Sequence, residues 1–207
     1  MQNYFYSSIA GIALVVHLII NWRQLVDWRH VKPRPGVLEF RRFLVCLLCF
    51  FVTDVLWGVI AEWKLRLALY VDTLLFFLMM AASIYAWTGF IVAYLRLDGR
   101  MRAALLWMGR GLLAFFIAAL VANGFTDSFF TVNARCEYAA GPLRQVAFAL
   151  QVAFNAFSSW VTLLTLLRTE GAVRRRNKMV FAFCITMTAA ILVQVGEGER
   201  RESKREA

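Results

Sequence analysis

The sequence predicts an all-α, polytopic transmembrane helical bundle, on three observations. The chain is 61% hydrophobic and only 17% charged, whereas soluble domains are about 45–50% apolar and about 25% charged. The apolar residues gather in six blocks, each near the roughly 20 residues that cross a hydrocarbon core about 30 Å thick. Those blocks are apolar on every side rather than alternating, so helices and not barrel strands are the spanning elements.

The predicted spans are residues 4–22, 43–61, 67–94, 103–123, 145–167 and 179–195. The first is a retained span rather than a signal peptide: MQNYFYSS carries no charge, and no small-residue cleavage pattern follows the apolar run. The second and third carry one carboxylate each, Asp54 and Asp72, and only five residues separate them, so they are antiparallel neighbours. The third, at 28 residues, is long enough to tilt or to project beyond the bilayer. Small residues in the fourth (Gly109, Gly111) and small or polar ones in the fifth (AFNAFSS, 153–159) let backbones approach and hydroxyls bond between helices. The sixth, at 17 residues, is at the short limit for a span.

Between the fourth and fifth spans, FFTVN and CEYAAG flank Ala134 and Arg135, which predicts a short β-hairpin over the mouth of the bundle, with Pro142 starting the next helix. Phe129, Phe130 and Tyr138 then either anchor at the membrane interface or form a lid over a polar layer.

Orientation follows the basic residues. The first, third and fifth connections hold six, three and five Lys or Arg, against two each in the second and fourth. The positive-inside rule puts the odd connections in the cytoplasm and the N-terminus outside. The net charge of +10 is this scattered basic rim, which faces lipid headgroups; without a recognition motif it does not predict a nucleic-acid partner.

Residues 1–195 thus form one membrane domain, followed by a charged, low-complexity tail at 196–207. Six spans leave that tail outside although it carries Arg200, Arg201, Lys204 and Arg205, so the expectation is that a seventh span is missing.

The segments YFYSSIAGIALVVHLIINW, RRFLVCLLCFFVTDVLWG, YVDTLLFFLMMAASIYAW, FFTVNARCEYAAGPLRQVAF and EGAVRRRNKMVF resemble, in that order, a seven-helix N-terminal membrane region of bacterial signalling proteins. That region typically precedes a GGDEF diguanylate cyclase domain. The resemblance spans residues 4 to about 195; the seventh helix and the GGDEF motif do not occur here. It implies a sensory input module in the bacterial inner membrane, dimeric in its full-length form, with any enzymatic activity in the absent output domain.

Depth counting singles out polar residues. At 1.5 Å per residue Asp54 and Asp72 lie about 10 and 8 Å below the outer edge, and Gln151 about 9 Å, so all three fall at one level. A charged Asp in hydrocarbon costs about 2.5–3.5 kcal/mol, so both point into the bundle or a wet cavity, and two neighbouring carboxylates do not both ionise cheaply. Either they form an outward pocket for a small polar or cationic ligand or a proton, or they fix helix packing by hydrogen bonds, Thr53 or a backbone group capping Asp54. By the same count His17 lies about 20 Å down and Arg110 about 10 Å from the inner edge, comparable depths in an inner polar layer. His17 reads as a packing residue and Arg110 as snorkelling or pairing with an acid or a lipid phosphate.

Other chemistry is disfavoured, and no cofactor or metal is predicted. Haem needs a second axial ligand, and His30 lies in a connection rather than opposite His17. The CLLC pair, Cys46 and Cys49, sits in an apolar span without a βαβ context. No lysine lies within a span for a retinal Schiff base, and no phosphate-loop, metalloprotease, nucleophile-elbow or kinase motif appears. The alternative is a small transporter or channel subunit using Asp54 and Asp72, although no internal repeat marks an inverted-repeat transporter.

Overall fold

The computed structural model describes residues 2–26, 36–171, 173–175, 177–186 and 188–189. Its elements in order are α1 (Gln2–Val26), α2 (Val37–Glu62), α3 (Arg66–Tyr94), α4 (Gly99–Thr126), β1 (Phe130–Val132), β2 (Tyr138–Ala140) and α5 (Pro142–Leu167). A sixth helical segment is described at 171, 173–175, 177–186 and 188–189. Among the described residues five helices, α1 to α5, are long and apolar enough to cross a membrane, so the chain is a multi-pass membrane protein. Five spans rather than six meet that measure, because residues 190–195 of the expected sixth lie outside the described residues, as do His30 and the tail at 196–207.

Each observed span contains its predicted interval and runs further at one end or both. Helix α2 begins at Val37, six residues before the apolar block, because Glu39, Arg41 and Arg42 continue the helix at its rim. Its start is set by Gly36, whose φ of 88° is a left-handed conformation that glycine adopts freely. Helix α5 starts at Pro142, in the first turn where a missing N–H costs nothing.

Consecutive helices pack side by side, α2 most extensively against α3 and α1, and α3 also against α4. Within lipid the hydrophobic term between helices is small, so close packing carries the association. At Gly109 a side chain would meet Thr88 at 3.4 Å, so this glycine brings α4 close to α3, whereas Gly111 has nothing within 4 Å. Helix α1 is peripheral, turning Ala10 and His17 inward and leaving Ile12, Ile19 and Ile20 exposed to lipid.

Aromatic side chains fill the centre in two groups. At one end Phe43 of α2 and Trp87 of α3 are 5.1 Å apart, and Phe183 of the sixth segment lies 4.5 Å from Trp87 and 6.2 Å from Phe43. At the hairpin end Phe77 of α3 meets Phe129 at 5.0 Å and Phe130 at 6.1 Å, and Phe129 meets Phe116 of α4 at 6.1 Å. Such pairs contribute about 0.5–1.5 kcal/mol each beyond their burial.

The hairpin pairs Phe130 with Ala140, Thr131 with Ala139 and Val132 with Tyr138. Its turn is organised by Asn133, whose Oδ1 accepts the N–H of Arg135 at 2.9 Å and of Glu137 at 3.0 Å, the turn role asparagine side chains often take. Gly141 closes the hairpin onto α5. A Cβ there would stand 2.1 Å from the Ser128 carbonyl oxygen, so only glycine fits.

Candidate functional site

Three ring contacts fix how α2 and α3 face one another: Phe40 with Phe90 at 5.1 Å, Phe43 with Trp87 at 5.1 Å and Phe50 with Phe76 at 4.8 Å. In an antiparallel pair, four residues beyond Phe50 and four before Phe76 are again opposite each other on the same faces. Those positions are Asp54 and Asp72. The two carboxylates therefore stand level, one turn nearer the hairpin end than the Phe50–Phe76 contact.

Asp72 is buried, with 5% of its surface exposed, and among the described residues its Oδ2 has no hydrogen-bond partner. Asp54 is half-buried. The hydroxyls next to them in sequence are committed elsewhere. Thr53 donates to the Phe50 carbonyl at 2.8 Å rather than capping Asp54, and Thr73 donates to Leu69 at 2.7 Å. A buried acid without a donor or cation is costly, so the pair holds an unfilled electrostatic demand.

Gln151 does not complete this layer. It is buried on α5, with Oε1 unpartnered among the described residues, but α5 begins one turn earlier than the apolar block indicated. Phe77 of α3 meets Phe148 of α5 at 6.4 Å. Counting from that contact at 1.5 Å per residue, Asp72 lies nearer the hairpin and Gln151 further from it, about 12 Å apart along the axis.

His17 and Arg110 also sit apart. The His17 ring bridges α1 to α2, with Nε2 3.2 Å from the Leu44 carbonyl, Nδ1 3.3 Å from Asn21 Nδ2 and an edge contact to Phe51 at 5.7 Å. Arg110 is exposed on α4, its guanidinium 5.4 Å over the Trp107 ring, a lipid-facing placement that suits snorkelling. Equal depth did not mean a shared face.

The hairpin root is a plug rather than an interface anchor. Phe129 and Phe130 are fully buried, held by Asn123, a buried residue in the last turn of α4 that hydropathy alone passes over. Asn123 Oδ1 accepts the N–H groups of Phe129 at 2.7 Å and Phe130 at 3.1 Å, and its Nδ2 donates to the Phe130 carbonyl at 3.0 Å. The signal available in the sequence was an amide in the final turn of an apolar helix, just before the turn residues GFTDS. Tyr138 closes the other strand. Burial pushes its phenol up, and the Arg144 guanidinium beside it pulls the other way.

This plug does not cover the carboxylates. Tyr70 and Phe77, the α3 residues that meet Phe130, are seven positions apart and share one helix face. Asp72 and Phe76 lie on a face roughly opposite, toward α2.

Comparison with protein-family models, curated proteins and solved structures returns no match for the chain.

Proposed function

We propose that the chain is the membrane-embedded sensory input module of a bacterial signal-transduction protein that functions as a homodimer with a GGDEF-type output domain. Its hairpin end and N-terminus face the outside of the inner membrane, and the Asp54–Asp72 pair receives a small cation or a proton. Catalysis is assigned to no residue of this chain.

One observation carries the reading: two level carboxylates on facing spans, with Asp72 buried and its Oδ2 without a donor among the described residues. A cation or proton entering between them removes a repulsion and a desolvation cost together, so it binds the arrangement in which α2 and α3 are close better than one in which they are apart. That difference in affinity is what shifts a conformational equilibrium. One turn away the Phe50–Phe76 contact moves with the pair. Further along the same helices, Phe43 and Trp87 pass the shift to Phe183 in the sixth segment.

The test is hydrogen exchange of the purified chain in lipid nanodiscs while sodium, potassium and pH are varied, alongside flux of the same ions in proteoliposomes. The sensor reading expects changed protection in α2, α3 and the sixth segment without flux. Flux of the responding ion makes the chain a transporter or channel subunit instead, and unchanged protection under every condition removes the pair as an input.

A further inference from the structure

The outward side of α4 carries a charge that no described residue balances. Among α1 to α5, Arg110 is the only Lys or Arg more than about two turns from a helix end, and it is exposed. We propose that Arg110 and the small residues beside it bind one anionic phospholipid of the leaflet at the α4 start, with its phosphate on the guanidinium and an acyl chain along Ala114 and Ala118. The site rests on the multi-pass fold and not on the Asp54–Asp72 reading.

A guanidinium in hydrocarbon is expensive, and intramembrane cations as a rule turn into the bundle and pair there. Arg110 does neither. Counted from Ala103, it lies about 10 Å below the edge of its apolar block. Among the described residues its side chain makes no ion pair or hydrogen bond, and α4 has no Asp or Glu from Gly99 to Thr126. Its contact is the Trp107 ring, 5.4 Å from the guanidinium carbon to the ring centre. The ring covers one face of the guanidinium and leaves the N–H edge for an acceptor. A phosphate takes two such N–H groups at once.

The face around Arg110 suits the rest of the lipid. One turn past it lies Ala114 and a further turn on Ala118, both exposed, as are Trp107 and Ile117 beside them. Gly111 has nothing within 4 Å. These small residues between larger ones make a shallow apolar track that runs from the guanidinium away from the α4 start. An acyl chain whose phosphate sits on Arg110 takes that place and direction. Arg100, exposed on the same side near the α4 start, adds positive charge where the headgroup enters.

Other occupants fit this face worse. Two copies in one bilayer share one orientation, so a symmetric α4–α4 contact sets Arg110 against its own counterpart at equal depth, two like charges in hydrocarbon. A free phosphate ion gains nothing from the apolar track and is costly to desolvate there. A zwitterionic phospholipid brings an ammonium that competes with the guanidinium for its phosphate, whereas an anionic headgroup leaves the phosphate to Arg110.

The experiment is native mass spectrometry of the chain in detergent, titrated with phosphatidylglycerol or with phosphatidylcholine of the same acyl chains. The chain is expected to retain one phosphatidylglycerol about tenfold more tightly than phosphatidylcholine, the scale of one charge-assisted bond. Arg110→Gln should abolish that preference and Arg110→Lys should keep part of it. Ala114→Leu with Ala118→Leu should weaken both lipids by crowding the track. Arg168→Gln, which removes an exposed charge at the end of α5, should leave the preference intact. Because Arg110 faces outward, the lipid-free melting curves of its variants should match the unaltered chain, which separates lost binding from misfolding. The proposal is overturned if the two lipids bind alike, if Arg110→Gln keeps the preference, or if Arg168→Gln removes it as fully. It is equally overturned if the paired leucine substitutions break a dimer of the chain without weakening either lipid.

Discussion

The carboxamide of Asn123 holds the backbone of Phe130 from both sides: Oδ1 accepts its N–H at 3.1 Å and Nδ2 donates to its carbonyl at 3.0 Å. With the further bond from the Phe129 N–H at 2.7 Å, one buried side chain at the end of α4 seats two aromatic residues in the bundle. Asn123→Ala leaves these backbone groups without that partner, at about 1–3 kcal/mol for each buried group left unsatisfied. The expected result is a loss of at least about 2 kcal/mol in unfolding free energy, with exchange protection lost first at residues 129 and 130. Unchanged protection there would mean that Asn123 does not seat the hairpin.

Two glycines give opposite expectations. Gly141→Ala drives a methyl group into the Ser128 carbonyl, so the junction between β2 and α5 must shift, at about 1–3 kcal/mol for an overpacked site. Gly111→Ala meets nothing within 4 Å on an exposed helix face and should gain about 0.5–1 kcal/mol from helix propensity. Melting curves of the two variants in the same lipid check both signs at once.

The His17 ring is fully engaged between α1 and α2. With Asn21 donating to Nδ1, the proton sits on Nε2 and is donated to the Leu44 carbonyl. Interhelical bonds of this kind average about 0.6 kcal/mol in membranes. His17→Leu is therefore expected to cost about 1 kcal/mol in melting experiments and to leave any ion response intact; a lost response would make His17 part of the input.

Phe183 contacts both Trp87 and Phe43 and so joins the sixth segment to the α2–α3 pair. On the sensor reading, Phe183→Ala retains the ion-dependent change in α2 and α3 protection and loses the change in the sixth segment. Loss of both, or of neither, would place the coupling elsewhere.

Much of the bundle was legible in the sequence because a bilayer demands long apolar blocks, and α1 to α5 follow them. The hairpin was legible too, since FFTVN and CEYAAG carry strand residues around a turn. Helix ends were not, because Val37–Arg42 and Pro142–Arg144 extend helices with residues that are not uniformly apolar. The level pairing of Asp54 and Asp72 followed from a short linker between antiparallel spans. Gln151, and His17 with Arg110, did not join their expected layers because depth along an axis says nothing of which face a side chain takes. The burial of Phe129 and Phe130 depended on a bond network from Asn123, and no local pattern encodes that.

Whether Asp54 and Asp72 act as one site is decided by a double-mutant cycle on the ion or proton response. Exchange protection of α2 and α3 is titrated in the unaltered chain, Asp54→Asn, Asp72→Asn and the double variant. Groups that act as a unit are non-additive, so each single substitution should abolish the response and the double variant should add nothing further. Independent, additive effects of the two substitutions, or a response that persists in the double variant, would mean that the two carboxylates do not form one input.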